Sequence, residues 1–155
     1  MNAPSSPATD RSAMTRALVR GFLDCLLGYT VDKQYRDRDL NSFFTDDIEL
    51  VLPGTKPATP WAGTYRGKDE LVAFWAICRE HLDIVSHDVQ HLIVEDDKAV
   101  VISFERYASL VTKRQGVQTY AWLFICQDDR IRYWRLFEDT EAIAKVFDTR
   151  IPAEG

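Results

Sequence analysis

The sequence predicts a single α+β domain in which helices precede a curved, mainly antiparallel sheet. Amphipathic helical patterns occupy much of residues 12–82, and four β-rich runs joined by short turns fill residues 85–138. Because the helices and strands are segregated along the chain, we expect the N-terminal helices to pack on one face of the sheet. A chain of 155 residues, 46% of them hydrophobic, is sufficient for one core with a small cavity.

Composition excludes several classes of partner. The formal net charge is -5 and no cluster of Lys and Arg is present, so binding to nucleic acid is not expected. No basic amphipathic helix and no apolar run of about 20 residues occurs, so no membrane partner is expected either. The segment MNAPSSPATD lacks the pattern of a secretory signal, which favours a cytoplasmic protein. Cys25, Cys78 and Cys126 are odd in number and far apart, as expected of reduced thiols.

The N-terminal segment is predicted to be a flexible tail over residues 1–11, because it is rich in Pro, Ser and Ala. The domain is then expected to span residues 12–150. From Ser12 onward, apolar residues recur at intervals of three and four, which predicts an amphipathic helix that ends near Gly28. Its apolar face is predicted to carry Met14, Leu18, Phe22, Cys25 and Tyr29.

The next segments alternate between short elements and a loop. RDLNSFF favours a short second helix, and DDIELVLPG favours a strand that ends at a Pro-Gly turn. TKPATPWAGTYRG is interpreted as a loop. Its Trp61 either covers a pocket or packs on the rim of one, since an exposed loop seldom carries a Trp without a contact.

Two further helices are predicted. In KDELVAFWAICREHL, apolar residues keep helical spacing and acidic residues occupy the first turn, as the helix dipole favours. DTEAIAKVF is expected to form a closing helix with Asp139 as its N-cap. Between these helices, HDVQHLIV, AVVISFERYASLV, VQTYAWLFIC and IRYWRLFE are predicted to form an antiparallel meander.

Alternation along the meander strands separates two faces of the sheet. One face is aliphatic, and we expect a second copy of the chain to cover it in a homodimer. The other face mixes aromatic and polar groups and is a candidate cavity wall, because ligand sites are apolar concavities with a few placed polar groups. The mixed face carries Val101, Ser103, Glu105, Tyr107, Tyr120, Trp122 and Phe124.

The turn at residues 94–98 decides which face carries the histidines. A three-residue loop through EDD would place His87 and His91 on the same face as Glu105, whereas a two-residue loop would place both on the opposite face. We favour the three-residue loop, with Asp96 near the left-handed region. His91 and Glu105 would then share a wall but lie too far apart along the strands to touch, and His87 would be the nearer to Glu105.

Three segments together resemble a known family. FFTDDIELVLPG, followed by GTYRGKDELVAFW and by a meander that contains VEDDKAVV, resembles the SnoaL-like branch of the fold shared by nuclear transport factor 2 and the ketosteroid isomerases. The resemblance extends from about residue 12 to 147. It implies a conical α+β fold, a deep pocket between the helices and the concave sheet face, and dimerisation through the outer face. This fold hosts isomerases, cyclases, epoxide hydrolases, dehydratases and non-catalytic binders.

The resemblance does not carry over the ketosteroid isomerase residues. Those enzymes place a carboxylate base just before the proline that matches Pro53, where this chain has Leu52. Their oxyanion hole needs a Tyr on the first helix and a protonated Asp on the third meander strand, and the approximate alignment gives Phe22 and Trp122. Leu52 cannot replace the carboxylate base, because a leucine side chain cannot abstract a proton.

Two other catalytic patterns of the fold are also incomplete. The water-activating Asp of limonene-epoxide-hydrolase-like enzymes falls on Leu136, and their Arg-x-Asp falls on Ser103 and Glu105, so only the acid is kept. A pocket His of scytalone-dehydratase-like proteins aligns with His91, but their second His falls near Ser109. The family's known catalytic sets are therefore not reproduced as a whole.

His91 and Glu105 are the candidate catalytic residues. A neutral imidazole can exchange protons near neutral pH, and a buried carboxyl has the raised pKa of a general acid. The alternatives are a core His91 bonded to a carbonyl or water, and a Glu105 bonded to Tyr107 or His87 for structure alone. No metal site is predicted, because His87 and His91 would lie roughly 13 Å apart, and no glycine-rich loop indicates a cofactor.

These observations predict a pocket protein for a small apolar or aromatic molecule. If the protein is an enzyme, it is predicted to be a cofactor-free acid/base enzyme of the isomerase, polyketide cyclase, dehydratase or hydrolase type. The alternatives are a non-catalytic ligand-binding protein and a scaffold whose aliphatic face binds a different chain. The predicted ligand-binding residues are Phe22, Leu52, Trp75, Val101, Ser103, Tyr107, Tyr120, Trp122, Trp134, Leu136 and Glu138.

Overall fold

The structure, a computed structural model, describes residues 7–152 and confirms the α+β class. The helices are α1 (Pro7–Thr30), α2 (Asp37–Asn41), α3 (Gly67–His81) and α4 (Thr140–Phe147). The strands are β1 (Phe44–Leu52), β2 (Gly63–Arg66), β3 (Leu82–Glu95), β4 (Lys98–Ser109), β5 (Gln115–Gln127) and β6 (Arg130–Phe137).

The six strands form one open sheet in the order β2-β1-β6-β5-β4-β3. β3 to β6 form the predicted antiparallel meander, and β1 joins it by pairing in parallel with β6. β2 pairs antiparallel with β1 inside the segment that the sequence had placed in a loop. That prediction was wrong for Gly63–Arg66, because a four-residue strand is too short to show a periodic pattern.

Helix α1 begins at Pro7, five residues before the predicted start, so residues 7–11 are helical rather than part of a tail. Residues 1–6 of the predicted tail lie outside the described residues. Just after this added part, α1 contacts the β3–β4 turn, where Ser12 Oγ accepts from the Asp96 amide and Thr15 Oγ1 donates to the Asp96 carbonyl. Met14, predicted to face the core, is 56% exposed.

The inward face of α1 packs across the narrow end of the sheet. Phe22 is fully buried there and makes edge contacts with Phe44, Phe124 and Trp134, at ring-centroid distances of 5.3, 5.8 and 5.1 Å. Such edge-to-face pairs add to the stabilisation that burial of the rings provides. This cluster fills one end of the concave face and leaves the cavity nearer to α3 and α4.

Helices α3 and α4 cover the rest of the concave face. Phe74 and Trp75 of α3 are buried against it. Asp139 caps α4 as predicted, with its Oδ1 accepting from the Ala142 amide at 3.0 Å. Phe147 then reaches back to stack on Tyr107 of β4. Both helices therefore place apolar rings above the middle of the sheet.

None of the helices within residues 7–152 is long and apolar enough to cross a membrane. Within the same range, no three His, Cys, Asp or Glu side chains come together in a way that could hold a metal ion.

Candidate functional site

A cavity of about 80 Å³ lies between the concave sheet face and helices α1, α3 and α4. Most of its wall is aromatic or aliphatic. A few polar groups interrupt this wall, namely His87, Glu105, Tyr107, Gln118, Tyr120 and Glu138. An apolar concavity with a few polar groups is the usual form of a small-molecule site.

A polar row crosses the middle of the sheet at this cavity. Glu105 of β4 pairs directly with His87 of β3 on one side and with Gln118 of β5 on the other. Directly paired residues of neighbouring strands point to the same face. The three side chains therefore all reach the cavity, and the row runs through its wall.

Glu105 is enclosed and hydrogen-bonded. Its Oε2 accepts from the Tyr120 hydroxyl at 2.6 Å, and its Oε1 accepts from Gln118 Nε2 at 3.4 Å. Burial raises the pKa of Glu105 to about 7, although both hydrogen bonds favour the carboxylate and oppose this shift. The carboxyl is thus divided between its acid and base forms near neutral pH, as proton transfer requires.

His87 lies beside this pair. Its Nε2 is 3.4 Å from the Tyr120 hydroxyl, and its ring stacks on Trp122 with centroids 5.3 Å apart. Since the Tyr120 hydroxyl donates its hydrogen bond to Glu105, its oxygen is free to accept a hydrogen bond from His87. Burial lowers the pKa of His87 to about 4, against the opposing effect of Asp88, so the imidazole is neutral at pH 7.

Glu138 follows β6 and is a second carboxyl in the same cavity. Trp61 donates its Nε1 hydrogen to Glu138 Oε2 at 3.3 Å. The pKa of Glu138 is raised to about 8. Burial is the main cause and the neighbouring Glu105 adds to it, while Trp61 and Gln118 act in the opposite direction. Glu138 is partly buried and lines the cavity, where the sequence predicted a ligand-binding residue.

Several polar atoms of the cavity wall have no hydrogen-bond partner within the described part of the chain. They are the indole nitrogens of Trp122 and Trp134, the hydroxyl of Tyr107 and Oε1 of Gln118. Buried polar groups without partners are uncommon in native proteins and call for an explanation such as a ligand. The two indoles can only donate, so they match a ligand oxygen that accepts.

His91 does not face the cavity, and the prediction that it does was wrong. β3 and β4 are joined by a two-residue turn, with Glu95 paired to Lys98, so His91 pairs with Ile102 on the outer face. His91 is exposed there. Asp96 takes a φ of 52°, as predicted, but within this shorter turn.

An irregularity in β3 restores the inward direction of His87. Between Val89 and His91 the register shifts, so that Gln90 is an extra residue and Val89 pairs with Ser103. A bulge of this kind reverses the faces of the residues that precede it in β3, as far as the second register shift between Ile84 and Ser86. His87 is therefore inward and is the direct partner of Glu105, which confirms that it lies nearer to Glu105 than His91 does.

Most of the predicted ligand-binding residues are found in the wall. Eight of them line the cavity, namely Leu52, Trp75, Tyr107, Tyr120, Trp122, Trp134, Leu136 and Glu138. Phe22, Val101 and Ser103 do not. They lie fully buried in the part of the domain over which α1 packs, so the predicted face is right but the cavity occupies only part of it.

Sequence reasoning missed or underrated several lining residues. Tyr29, Phe74 and Cys78 come from the inward faces of α1 and α3, and helical spacing could have identified them. Gln118 alternates with Tyr120 and so was open to the same argument as Tyr120. Trp61 is buried in the wall, with its ring 4.8 Å from that of Phe147.

Comparison with known proteins identifies the fold family. A family model for the SnoaL-like domain matches residues 15–134. An NTF2-like protein of Burkholderia xenovorans LB400 superposes with a TM-score of 0.73 at 19% identity, over 88% of this chain and 97% of its own. A proposed SnoaL-like polyketide cyclase of Jannaschia sp. CCS1 gives 0.71 at 18%, over 97% and 100%.

A third solved structure is TerC, which was co-crystallized with polyporic acid. It superposes with a TM-score of 0.67 at 17% identity, over 85% of this chain and 98% of its own. No functionally curated protein matches the sequence. Likeness at these identities shows the fold, and the family model covers most of the domain. The chain therefore belongs to the SnoaL-like domain family, within the NTF2-like fold.

Proposed function

We propose that the protein is an acid/base enzyme that acts on a small, planar, apolar or aromatic compound, with Glu105 as the group that exchanges a proton with the substrate. The observation that carries the proposal is the state of Glu105. It is enclosed in an aromatic cavity, hydrogen-bonded by Tyr120, and its pKa is raised to about 7.

The chemistry that fits this geometry is removal of a proton from carbon. The Glu105 carboxylate takes a proton from a carbon next to a carbonyl group, and the electron pair of the C–H bond moves toward the carbonyl oxygen. The free indole N–H of Trp122 or Trp134 can then donate to that oxygen as its charge grows. Tyr120 holds the carboxylate in place, and the neutral His87 supports Tyr120 from the other side.

The wall supports a planar ligand. Trp75, Trp122 and Trp134 present ring surfaces, and stacking on such rings favours flat apolar molecules. The Jannaschia neighbour is a proposed SnoaL-like polyketide cyclase, and TerC was co-crystallized with polyporic acid. Both are compatible with cyclisation or isomerisation of such a compound here.

A ligand-binding protein without catalysis is the second candidate. The observation that favours it is that Leu52 and Leu136 line the cavity at the positions where the resemblance would place the acids of known enzymes. Loss of those acids leaves a cavity that can bind but lacks their chemistry. Glu105 is then a buried acid with a structural role.

Turnover of a reporter distinguishes the two candidates without knowledge of the natural substrate. Nitrobenzisoxazole is planar and aromatic, and it opens to a coloured phenolate when a base removes its C–H proton. We expect saturable turnover by the wild type and a loss of about 10²-fold in Glu105→Gln, the usual contribution of a positioned base. The matched control is Glu141→Gln, which alters an exposed carboxylate on α4. Equal rates for the wild type and Glu105→Gln would reject the enzyme.

The outer sheet face is proposed to bind a second copy of the chain. Val117 and Phe137 are each 49% exposed on this side of the sheet, and Phe104 and Phe137 are covered only in part by the guanidinium groups of Arg106 and Arg135. A second copy would bury these rings. Light scattering should give twice the monomer mass, and Val117→Lys should shift it toward the monomer.

A further inference from the structure

We propose that Glu138 is a second proton-carrying group of the cavity and that Gln118 couples it to Glu105, so that one carboxyl removes a proton while the other supplies one. The inference rests on the proposed function, because it concerns the same cavity. It goes beyond that function by giving the site two acid/base groups, and it limits the substrate to compounds in which a proton leaves one atom and another atom gains one.

The position of Gln118 is the first support. Its amide donates to Glu105 Oε1 at 3.4 Å, and Gln118 and Glu138 line the same cavity. Gln118 is buried in the cavity wall. A carboxamide has two N–H donors on one nitrogen, so a single side chain can serve both carboxyls.

The second support is the free oxygen of the same amide. Oε1 of Gln118 is buried and has no partner among the described residues. A carboxylate cannot donate to it, but a protonated carboxyl can. An unused acceptor in a cavity with two carboxyls therefore matches a pair in which one member carries a proton.

Charge in the cavity gives the third support. The lining contains two carboxyls but neither a Lys nor an Arg. Two negative charges in one apolar cavity without a cation repel each other, so one of the two keeps its proton. The other titratable groups that line the cavity are Tyr29 from α1, Cys78 from α3, His87 from β3, Tyr107 from β4 and Tyr120 from β5.

These neighbours leave the two carboxyls as the proton carriers near neutral pH. Burial raises the pKa of Cys78, Tyr107 and Tyr120, so the thiol and both hydroxyls keep their protons. Burial lowers the pKa of His87, so the imidazole is uncharged. Glu105 accepts hydrogen bonds from both Tyr120 and Gln118, which stabilise its carboxylate and make it the base. Glu138 accepts a hydrogen bond from Trp61 and is the donor.

The step balances as an isomerisation. Ionised Glu105 takes the proton of a C–H bond next to a carbonyl, and the electron pair of that bond shifts through the conjugated system. Protonated Glu138 delivers its proton to the oxygen or to a remote carbon, where the electron pair arrives. The product is an isomer of the substrate, with Glu105 protonated and Glu138 ionised. Proton exchange with water resets both groups. The substrate class is thus a small conjugated or enolisable carbonyl compound.

Trp61, in the loop between β1 and β2, holds the carboxyl of Glu138 in position. Its indole N–H binds Glu138 Oε2, and its ring packs on Phe147 of α4. The backbone carbonyl of Trp61 accepts from the hydroxyl of Tyr65, which anchors the loop on β2. Glu138 is therefore held by the β1–β2 loop, whereas Glu105 is held by Tyr120 of β5. The two carboxyls reach the cavity from separate supports.

The coupling can be measured without a substrate. An infrared titration follows the carbonyl stretch of protonated carboxyl groups in the wild type, Glu105→Gln, Glu138→Gln and the control Glu141→Gln. Removal of one negative neighbour should lower the midpoint of the remaining carboxyl by about one pH unit, and equally in both single variants. Gln118→Met should raise both midpoints, because it removes a donor to each carboxylate. Unchanged midpoints in both Glu variants would overturn the coupling.

The donor role is tested with two reporters that differ in their leaving groups. Benzisoxazole releases a more basic phenolate than nitrobenzisoxazole, so it depends more on an acid that protonates the leaving oxygen. Glu138→Gln should slow benzisoxazole by about 10²-fold and nitrobenzisoxazole far less, and Glu138→Asp should recover part of the loss. Equal slowing of both reporters would overturn the donor role, because a damaged cavity affects both.

The two proposals fail in different ways. If Glu105→Gln turns over both reporters like the wild type, the proposed function fails even where the infrared midpoints are coupled. If Glu105→Gln is inactive but Glu138→Gln matches the wild type on both reporters, the proposed function stands and the second carboxyl is rejected. Should the wild type turn over neither reporter, the proposed function fails and the infrared titration alone decides the coupling.

Discussion

Replacement of Glu105 by Gln should change how the stability of the protein depends on pH. In the folded protein the pKa of Glu105 is about 7, compared with an ordinary value of 4.5. A carboxyl with a raised pKa binds more protons in the native state than in the unfolded state between these two values. The contribution of Glu105 to the stability of the folded wild type is therefore fully present below pH 4.5, and it is lost as the pH rises toward 7.

The size of the effect follows from linkage. Each pH unit between the two pKa values changes the free energy of unfolding by about 1.4 kcal/mol, so the loss that Glu105 causes by pH 7 is about 3 kcal/mol. Gln cannot ionise, and Glu105→Gln escapes this loss. Compared with the wild type, the variant should thus gain about 3 kcal/mol in unfolding free energy between pH 4.5 and pH 7.

Differences between variants are needed because another group acts in the opposite direction. The pKa of His87 falls from 6.5 to about 4, so protonation of the unfolded state makes the protein less stable as the pH falls through that interval. In the wild type the effect of His87 offsets only part of the loss of stability that Glu105 and Glu138 cause as the pH rises. Subtraction of the wild-type curve from the Glu105→Gln curve removes the contribution of His87.

Urea unfolding at constant protein concentration measures the difference, since self-association would alter apparent stability. Loss or gain of hydrogen bonds by the introduced amide adds a constant that does not vary with pH, so the slope carries the information. Glu141→Gln, an exposed substitution on α4, should give a flat difference. A difference for Glu105→Gln that stays within about 0.5 kcal/mol across the interval, as for an ordinary surface change, would refute a buried carboxyl with a raised pKa.

Three further predictions concern the histidines and the packing of Tyr107. In NMR spectra the His87 ring should remain neutral from pH 7 down to about pH 5, because burial lowers its pKa to about 4, and a transition near pH 6.5 would contradict its burial. His91→Ala should change stability by less than about 0.5 kcal/mol and leave reporter turnover unaffected, because the side chain is exposed on the outer face. Gly116→Ala should destabilise by about 1–3 kcal/mol in thermal unfolding, since its methyl would lie 2.8 Å from the Tyr107 hydroxyl. Its control is Gly28→Ala, where the nearest atom is 3.8 Å away in a helix, and this change should stabilise by about 0.5–1 kcal/mol.

The fold was predictable because its main signals are local. Helical spacing identified α1, α3 and α4, and short acidic or polar turns separated the four meander strands. The position of β1 beside β6 was not predictable from the sequence pattern, because a parallel contact between residues 44–52 and 130–137 leaves no mark in either segment. The helical state of residues 7–11 was also missed, since their composition favours disorder while contacts of α1 with the Asp96 turn stabilise the helix end.

The candidate site also has a part that the sequence predicts and a part that depends on contacts between strands. Glu105 was found because alternation within one strand decides its face, and burial of every second residue of β4 follows the predicted pattern. Which of the two histidines lies beside Glu105 depends on how β3 pairs with β4, and that pairing cannot be deduced from one strand alone. A one-residue change in the turn reverses every side chain of β3, and one extra residue at Gln90 reverses again those that precede it.

These two reversals explain why the site has a His87–Glu105 neighbour pair rather than a distant His91. A sequence can show that an acid lies inside an apolar strand, because that misfit is visible within a few residues. The partner is set by the pairing of β3 with β4 across the short turn. That turn is held from α1, more than 80 residues away along the chain, where Ser12 Oγ accepts from the Asp96 amide and Thr15 Oγ1 donates to the Asp96 carbonyl.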